Sequence, residues 1–318
     1  MQLLLVDDDP MILDLLPRVL ERQGYPEVKA VSSGASALEA LNARNNEFDL
    51  LILDISMPVM DGITLCKKIR KLSRYRDVPI VMLTANSDLS SVERAFAAGA
   101  NDYITKPFAL GDIGKRIELT ARNFKKVLEM PNLDPFARSG RDVEGDHEFA
   151  FEDPLRLVNA SQYTDRYSLA NYMWQIERSQ LKTTTVFAIR NNEFDVYYDN
   201  MTTHEYACTL FNMTKSISKV LDSESLLMSY VGDGTFIGIS NDDLLEYWSE
   251  IEEMLQADLR QTLILPDRDT HVPATVTLGR PIRAQPGSPR RVTRTFERAL
   301  DTLQLRLCRE KSVALKSA

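Results

Sequence analysis

Residues 50–62 read LLILDISMPVMDG. An unbroken apolar run that ends on an acid, followed shortly by Asp61-Gly62, describes a strand buried on both faces that stops at a polar edge and turns into a helix. The same design recurs on either side, in LLLVDDD at 3–9, IVMLTA at 80–85 and DYITKPF at 102–108. With residues 28–31 these make five short strands, at 3–6, 28–31, 50–53, 80–83 and 102–105. Apolar residues at helical spacing fill 12–23, 35–43, 63–70, 91–97 and 110–128. Regular alternation of strand and helix predicts an α/β domain over residues 1–125, a five-stranded doubly wound parallel sheet.

In such a sheet ligands gather at the carboxyl edge of the strands. Asp7 and Asp8 follow the first strand, Asp54 ends the third, Thr84 ends the fourth and Lys106 follows the fifth. Three carboxylates at one edge repel one another unless a hard divalent cation sits among them, and Mg²⁺ takes carboxylate, carbonyl and water oxygens. Taken singly, each residue has an ordinary explanation: Asp7, Asp8 or Asp9 as a helix cap, Asp54 as a turn residue, Thr84 as a strand terminus, Lys106 as a solvated charge. Jointly, with Lys106-Pro107 suited to a cis peptide and Asp61-Gly62 to a tight turn, they specify one site.

Over its first 125 residues the chain resembles the receiver domain of two-component response regulators. The resemblance implies that Asp54 is the phosphoacceptor, a carboxylate nucleophile served by a sensor histidine kinase or a small phosphodonor. It implies Mg²⁺ held by Asp8, Asp54 and the backbone carbonyl of Ser56, with Asp7 acting through water. Lys106 then pairs with one phosphoryl oxygen and the Thr84 hydroxyl with another. Tyr103 matches the switch aromatic that turns inward as Thr84 moves, although an aromatic there also suits plain packing.

With 318 residues, 44% of them hydrophobic, the chain has material for a second core. Residues 126–150 are expected to be a linker, because 131–145 is rich in turn-forming residues and poor in apolar ones. Residues 151–318 read as an α+β domain. Strands are expected at 185–189, 227–231, 235–240 and 274–278, and helices at 169–181, 205–221, 243–259 and 293–309.

This half resembles, more weakly, a GGDEF (diguanylate cyclase) domain of nucleotidyl-cyclase-like fold. FEDPLRLVN lies at 151–159, Glu193-Phe194 follows a strand, VYYDN at 196–200 leads into a helix, SYVGDGTFIGIS spans 229–240 and TVTLG spans 275–279. The family's Gly-Gly-Asp-Glu-Phe is replaced by Gly232-Asp233-Gly234-Thr235-Phe236. Against the family pattern, Thr235 stands for the Glu, Gly234 for the Asp, and Arg190 for the metal-binding Asp. Tyr198 and Ala207 stand for the guanine-reading Asn and Asp, and the inhibitory Arg-x-x-Asp becomes a stretch from Ser223 to Leu226. Two-metal phosphoryl transfer needs those carboxylates, so the resemblance implies a degenerate domain with neither cyclase activity nor cyclic di-GMP binding. Gly232, Asp233 and Gly234 then read as an ordinary hairpin turn.

A formal net charge of −8 disfavours nucleic acid and acidic membranes as partners. Arg290, Arg291, Arg294, Arg298, Arg306 and Arg309 make the C-terminal stretch locally basic, but without the interleaved aromatics of a nucleic-acid surface it reads as a solvated face. Cys66, Cys208 and Cys308, like His147, His204 and His271, are too scattered for a disulfide framework or a zinc ribbon. The start lacks a secretory pattern and no stretch has the length of a membrane span, which suits the cytoplasm. The expected function is a phosphorylation-controlled signalling protein, not an enzyme, whose second domain mediates homodimerisation or binds a downstream protein partner. Two other classes remain open on the sequence. One is an active or atypical diguanylate cyclase, or another nucleotide-binding enzyme, using Asp233 in shifted register. The other is a nucleic-acid binder acting through the C-terminal arginines.

Overall fold

The computed structural model describes residues 1–85, 89–137, 143–158, 160, 162–176, 183–223, 225–242, 244, 247–265, 270–271, 273–284 and 289–317. They form two compact units, Met1–Glu129 and Met130–Ala318.

The first unit alternates β1 (Leu3–Val6), α1 (Pro10–Arg22), β2 (Val28–Val31), α2 (Gly34–Asn42), β3 (Leu50–Asp54), α3 (Gly62–Ile69), β4 (Ile80–Thr84), α4 (Leu89–Ala97), β5 (Asp102–Thr105) and α5 (Leu110–Leu128). All strand pairs are parallel, in the order β2-β1-β3-β4-β5. The three central strands are buried at every residue, as their unbroken apolar runs require. Leu3, Leu5, Leu50, Ile52, Val81 and Leu83 pack on one face with Leu16 and Leu20 of α1 and Ile113 and Ile117 of α5. Strand order reverses between β1 and β3, so a crevice opens where Asp7 and Asp54 emerge. Helix starts are capped by residues the loops supply: Asp9 accepts from the Met11 N–H for α1, and Asp61 from the Thr64 N–H for α3.

The second unit is α+β. Its order is β6 (Asn132–Leu133), β7 (Arg156–Leu157), α6 (Arg166–Gln175), β8 (Thr185–Asn191), α7 (Phe194–Asn200), α8 (Thr203–Leu221), β9 (Leu227–Gly232), β10 (Thr235–Ser240), α9 (Trp248–Thr262), β11 (Ile264–Leu265), β12 (Thr270–His271), β13 (Val276–Leu278), β14 (Ile282–Arg283) and α10 (Pro289–Ser317). The main sheet runs β13-β8-β10-β9, with β14 also pairing β8 and every pair antiparallel. This is a βαββαβ arrangement with the first strand of the motif at the centre. Alternation along β8 sends Phe187 and Ile189 into a core with Leu210 and Met213 of α8 and Leu255 and Leu259 of α9. Val186 and Ala188 are buried on the opposite face, where α10 packs against β8.

Three sequence expectations are corrected or refined. Residues 126–150 are not simply a linker: the units divide at Glu129, β6 pairs with β7, and Leu133 and Phe149 are buried in the second core. Too few apolar residues flank these two for a pattern to be visible, but each finds a tertiary partner. Residues 138–142, within the same stretch, lie outside the described residues. The VYYDN stretch leads into α8 as expected but is itself helical, within α7, and the helix expected over 169–181 is described over Arg166–Gln175, started by Asp165, which accepts from the Tyr167 and Ser168 N–H groups, with 177–181 outside the described residues. Among the described residues no helix is long and apolar enough to cross a membrane.

Candidate functional site

The ends of β1, β3 and β4 and the turn after β5 bring polar residues to the carboxyl edge of the sheet. The carboxylates of Asp7, Asp8 and Asp54 offer oxygens lying within 4.8 Å of one another. Asp7 is fully buried and Asp54 nearly so, whereas Asp8 faces solvent. Lys106, delivered by the turn after β5, donates from Nζ to Asp7 Oδ2 and Asp54 Oδ1, at 2.6 Å each. The other oxygen of Asp54 accepts from the Ser56 N–H at 2.8 Å, and Asp7 Oδ1 accepts from the Asp9 N–H at 3.0 Å.

Burial pushes the Asp54 carboxyl above its ordinary range, and the charge of Asp7 pushes the same way, against the pull of Lys106. Burial alone would lower the Lys106 amine, but its bonds to Asp54 and Asp7 win and raise it, so it stays charged. Two buried carboxylates with one ammonium leave the cluster net negative, and its donors are all hard oxygens. A small divalent cation fits that donor set.

Thr84 ends β4 fully buried, and its carbonyl accepts from the Lys106 N–H at 2.6 Å, tying the fourth strand end to the lysine turn. The Lys106–Pro107 peptide is cis. Next to the site, a Cβ on Gly62 would lie 2.1 Å from the Asp54 carbonyl oxygen, so the turn expected at Asp61-Gly62 requires glycine for close approach.

Comparison with known proteins gives the same answer as this geometry. Residues 3–118 match the family model of the response regulator receiver domain. Chemotaxis protein CheY1 of Helicobacter pylori is 38% identical over 119 residues, 37% of this chain and 95% of CheY1. The chain belongs to the response regulator receiver family. Transcriptional regulatory protein YvrH of Bacillus subtilis is 41% identical over 115 residues, 36% of this chain and 46% of YvrH. The chain thus spans about half the length of YvrH and of RpaA from Synechocystis. A receiver-domain crystal structure from Methanospirillum hungatei covers 40% of this chain and 97% of its own, at 32% identity and a TM-score of 0.36. Receivers are phosphorylated on an aspartate and paired with sensor histidine kinases.

The receiver also holds a site the sequence reading passed over. Asp102 is fully buried at the start of β5 and accepts from Arg116 Nε at 2.9 Å, Arg116 Nη2 at 2.8 Å and Thr120 Oγ1 at 3.0 Å. An acid in a strand, with an arginine and a threonine one turn apart on the following helix, was the available signal.

In the second unit, Asp233 and Gly234 form the two-residue turn joining β9 to β10, both at positive φ, and Gly232 precedes them at φ +99°. Asp-Gly with both central residues at positive φ is a type I′ hairpin. Thr235 and Phe236 begin β10 as buried residues, and the Thr235 hydroxyl is turned onto the hairpin itself, donating to the Asp233 carbonyl at 3.3 Å. Arg190 lies on β8 opposite Thr235, while Tyr198 sits on α7 and Ala207, buried, on α8.

Residues 145–153 fold back over this region. The Gly145 N–H donates to the Met201 carbonyl, the Phe149 carbonyl accepts from the Tyr198 hydroxyl, and the Phe151 carbonyl accepts from the Asp233 N–H at 3.1 Å. His147 Nε2 donates to the Tyr198 carbonyl at 2.8 Å, and Nδ1 is hydrogen-bonded to the Thr203 hydroxyl at 2.9 Å. Its ring stacks on Phe149 and lies within 5.6 Å of Tyr206, centroid to centroid. The chain therefore covers Tyr198, the N-terminal turns of α8 and the hairpin tip with its own backbone.

Proposed function

We propose that this protein is a two-component response regulator phosphorylated on Asp54 by a sensor histidine kinase, in the cytoplasm. The observation that carries the reading is the double bond of Lys106 to Asp7 and Asp54 inside a triad of carboxylates. Asp54 is the acceptor because it is the central carboxylate, at the end of β3, with one oxygen fixed by the Ser56 N–H. Asp7, Asp8 and Asp54, with the Ser56 carbonyl, would hold Mg²⁺. When bound, that ion neutralises charge on the phosphoryl group in transfer. Lys106 orients Asp54 before transfer and afterwards contacts a phosphoryl oxygen, and the Thr84 hydroxyl contacts another.

For the second unit we propose a degenerate GGDEF-like output domain that acts without catalysis, through dimerisation and a downstream protein partner. Three features support this reading: the βαββαβ order, the type I′ turn at Asp233-Gly234, and the strap of residues 145–153 laid over Tyr198 and the hairpin tip. With Arg190, Gly234 and Thr235 at the positions of the family's carboxylates, no cage for two metals remains. The similarity to YvrH and RpaA stops at receiver length, so their names carry nothing for this unit.

Acetyl phosphate with Mg²⁺ should label the protein. Asp54→Asn or chelation of the metal should abolish the label, and undiminished labelling of Asp54→Asn would overturn the assignment. Incubation of labelled and unlabelled protein with GTP and Mg²⁺ should yield no cyclic di-GMP, and product above a no-enzyme control would restore the cyclase reading.

A further inference from the structure

Where β8 ends, a cleft of about 400 Å³ opens between that strand end, the first turn of α7 and the C-terminal part of α10. Arg190, Asn192, Asp195, Gln304, Leu307 and Glu310 are among its lining residues. Three of these lack a full set of protein partners among the described residues, with Asp195 at the exposed rim of the cleft. The guanidinium of Arg190, half-buried, has no ion pair or hydrogen bond among the described residues. Asn192 donates from Nδ2 to Thr277 Oγ1 at 3.0 Å, but its Oδ1 is buried without a donor. Asp195 accepts one backbone bond, from the Val196 N–H, and no cation lies within ion-pair reach of it among the described residues. Glu310, by contrast, is already committed to Arg306 and Thr277.

An unpaired guanidinium and an unpaired carboxylate in one cleft are the two halves of a receptor for a zwitterion. Arg190 presents a planar fork that matches a carboxylate. Asp195 and Asn192 Oδ1 present acceptors that match an ammonium. A lone anion would leave Asp195 repelling it, and a lone cation would meet Arg190, so each half selects against a ligand with only one charge. The volume falls in the range of small-molecule sites, and Leu307 adds an apolar wall.

We propose that this cleft binds a free amino acid or an equally small zwitterion, carboxylate on Arg190 and ammonium on Asp195 and Asn192. The inference rests on the local geometry alone and is independent of the phosphoacceptor and of the family reading of the second unit. Such a ligand would make the second unit a sensor of a small metabolite.

The test uses the full chain and pools of the twenty standard amino acids, with acetate, methylammonium and inorganic phosphate as single-charge probes. The reporter is the side-chain Nε–H resonance of Arg190, assigned by its loss in Arg190→Met. At least one pool should shift it saturably, and acetate, methylammonium and phosphate should each bind at least about tenfold more weakly, the loss expected for one charged hydrogen-bonded contact. Arg190→Met and Asp195→Asn, monitored by calorimetry, should each weaken the active pool by about tenfold or more. The wild-type comparison stands even if a variant fails to fold. The proposal is overturned if no pool gives a saturable shift, if phosphate or acetate binds as tightly as the pools, or if folded Arg190→Met retains full affinity.

Discussion

Tyr103 meets Phe96 edge to face, with ring centroids 6.1 Å apart and planes at 89°, and it is only 5% exposed. The switch aromatic, expected to turn inward when Thr84 moves, therefore already rests inward, held by packing between β5 and α4. Beryllofluoride should then leave the burial of the ring unchanged, read as the solvent-isotope shift of 3-fluorotyrosine at position 103. A ring that becomes protected only on adding beryllofluoride would contradict this. Tyr103→Ala should destabilise the receiver by about 3 kcal/mol, the usual cost of emptying an aromatic site.

Arg116 forms an ion pair at 2.8 Å with the fully buried Asp102, so Arg116→Met takes a cation away from a buried carboxylate. The expected cost is about 3 kcal/mol, most of it recovered by the double variant with Asp102→Asn, because what costs is the unpaired charge and not the missing bond. Both tryptophans, Trp174 and Trp248, belong to the second unit, so indole fluorescence will not report this loss. Hydrogen exchange of the β5 amides will, and equal exchange rates in wild type and Arg116→Met would count against the ion pair.

Restoring the missing carboxylates should fail. A Cβ on Gly234, which is at positive φ, would lie 2.7 Å from the Phe194 Cβ and 2.8 Å from the Asn191 carbonyl oxygen. Gly234→Asp combined with Thr235→Glu is expected to destabilise the second unit by more than about 1 kcal/mol and to produce no cyclic di-GMP. Thermal unfolding followed by tryptophan emission, together with product chromatography, checks both parts. A stable double variant that makes product would show that the hairpin retains a catalytic setting.

Lys106→Ala should accept phosphate on Asp54 yet transmit it poorly, since the amine that contacts the phosphoryl group is gone while the nucleophile remains. Light scattering with beryllofluoride should show a shift toward dimer in wild type and little in Lys106→Ala. A population shift of this kind needs only a few kcal/mol of differential contact. Identical shifts in the two proteins would remove Lys106 from the signalling path.

The receiver was legible because its three central strands are buried on both faces. Runs such as Leu50–Asp54 have no other stable setting, and the polar residue that ends each run is the site itself. The ordinary explanation holds for Asp9, which caps α1, while Asp7, Asp8 and Asp54 converge, and Asp61, expected only in a tight turn, caps α3. What stayed hidden depends on contacts distant in sequence. Leu133 and Phe149 look like isolated apolar residues in a polar stretch until the second core receives them, and Asp102 looks like a strand terminus until α5 brings Arg116 to it. The cleft at Arg190 was invisible for the same reason, since α10 and β8 are far apart in the chain.

The strap of residues 145–153 grips chiefly through its main chain. The Gly145 N–H and the carbonyls of Phe149 and Phe151 make its bonds, and the Glu152 carbonyl closes on Gly232. An attachment made of peptide groups is indifferent to most side-chain replacements. Apart from Gly145, where a φ of +69° and the Asp199 carbonyl leave no room for a side chain, and the packed rings of His147, Phe149 and Phe151, this stretch is free to drift in sequence while keeping its seat, and elsewhere in it a deletion or a proline would do more harm than an alanine.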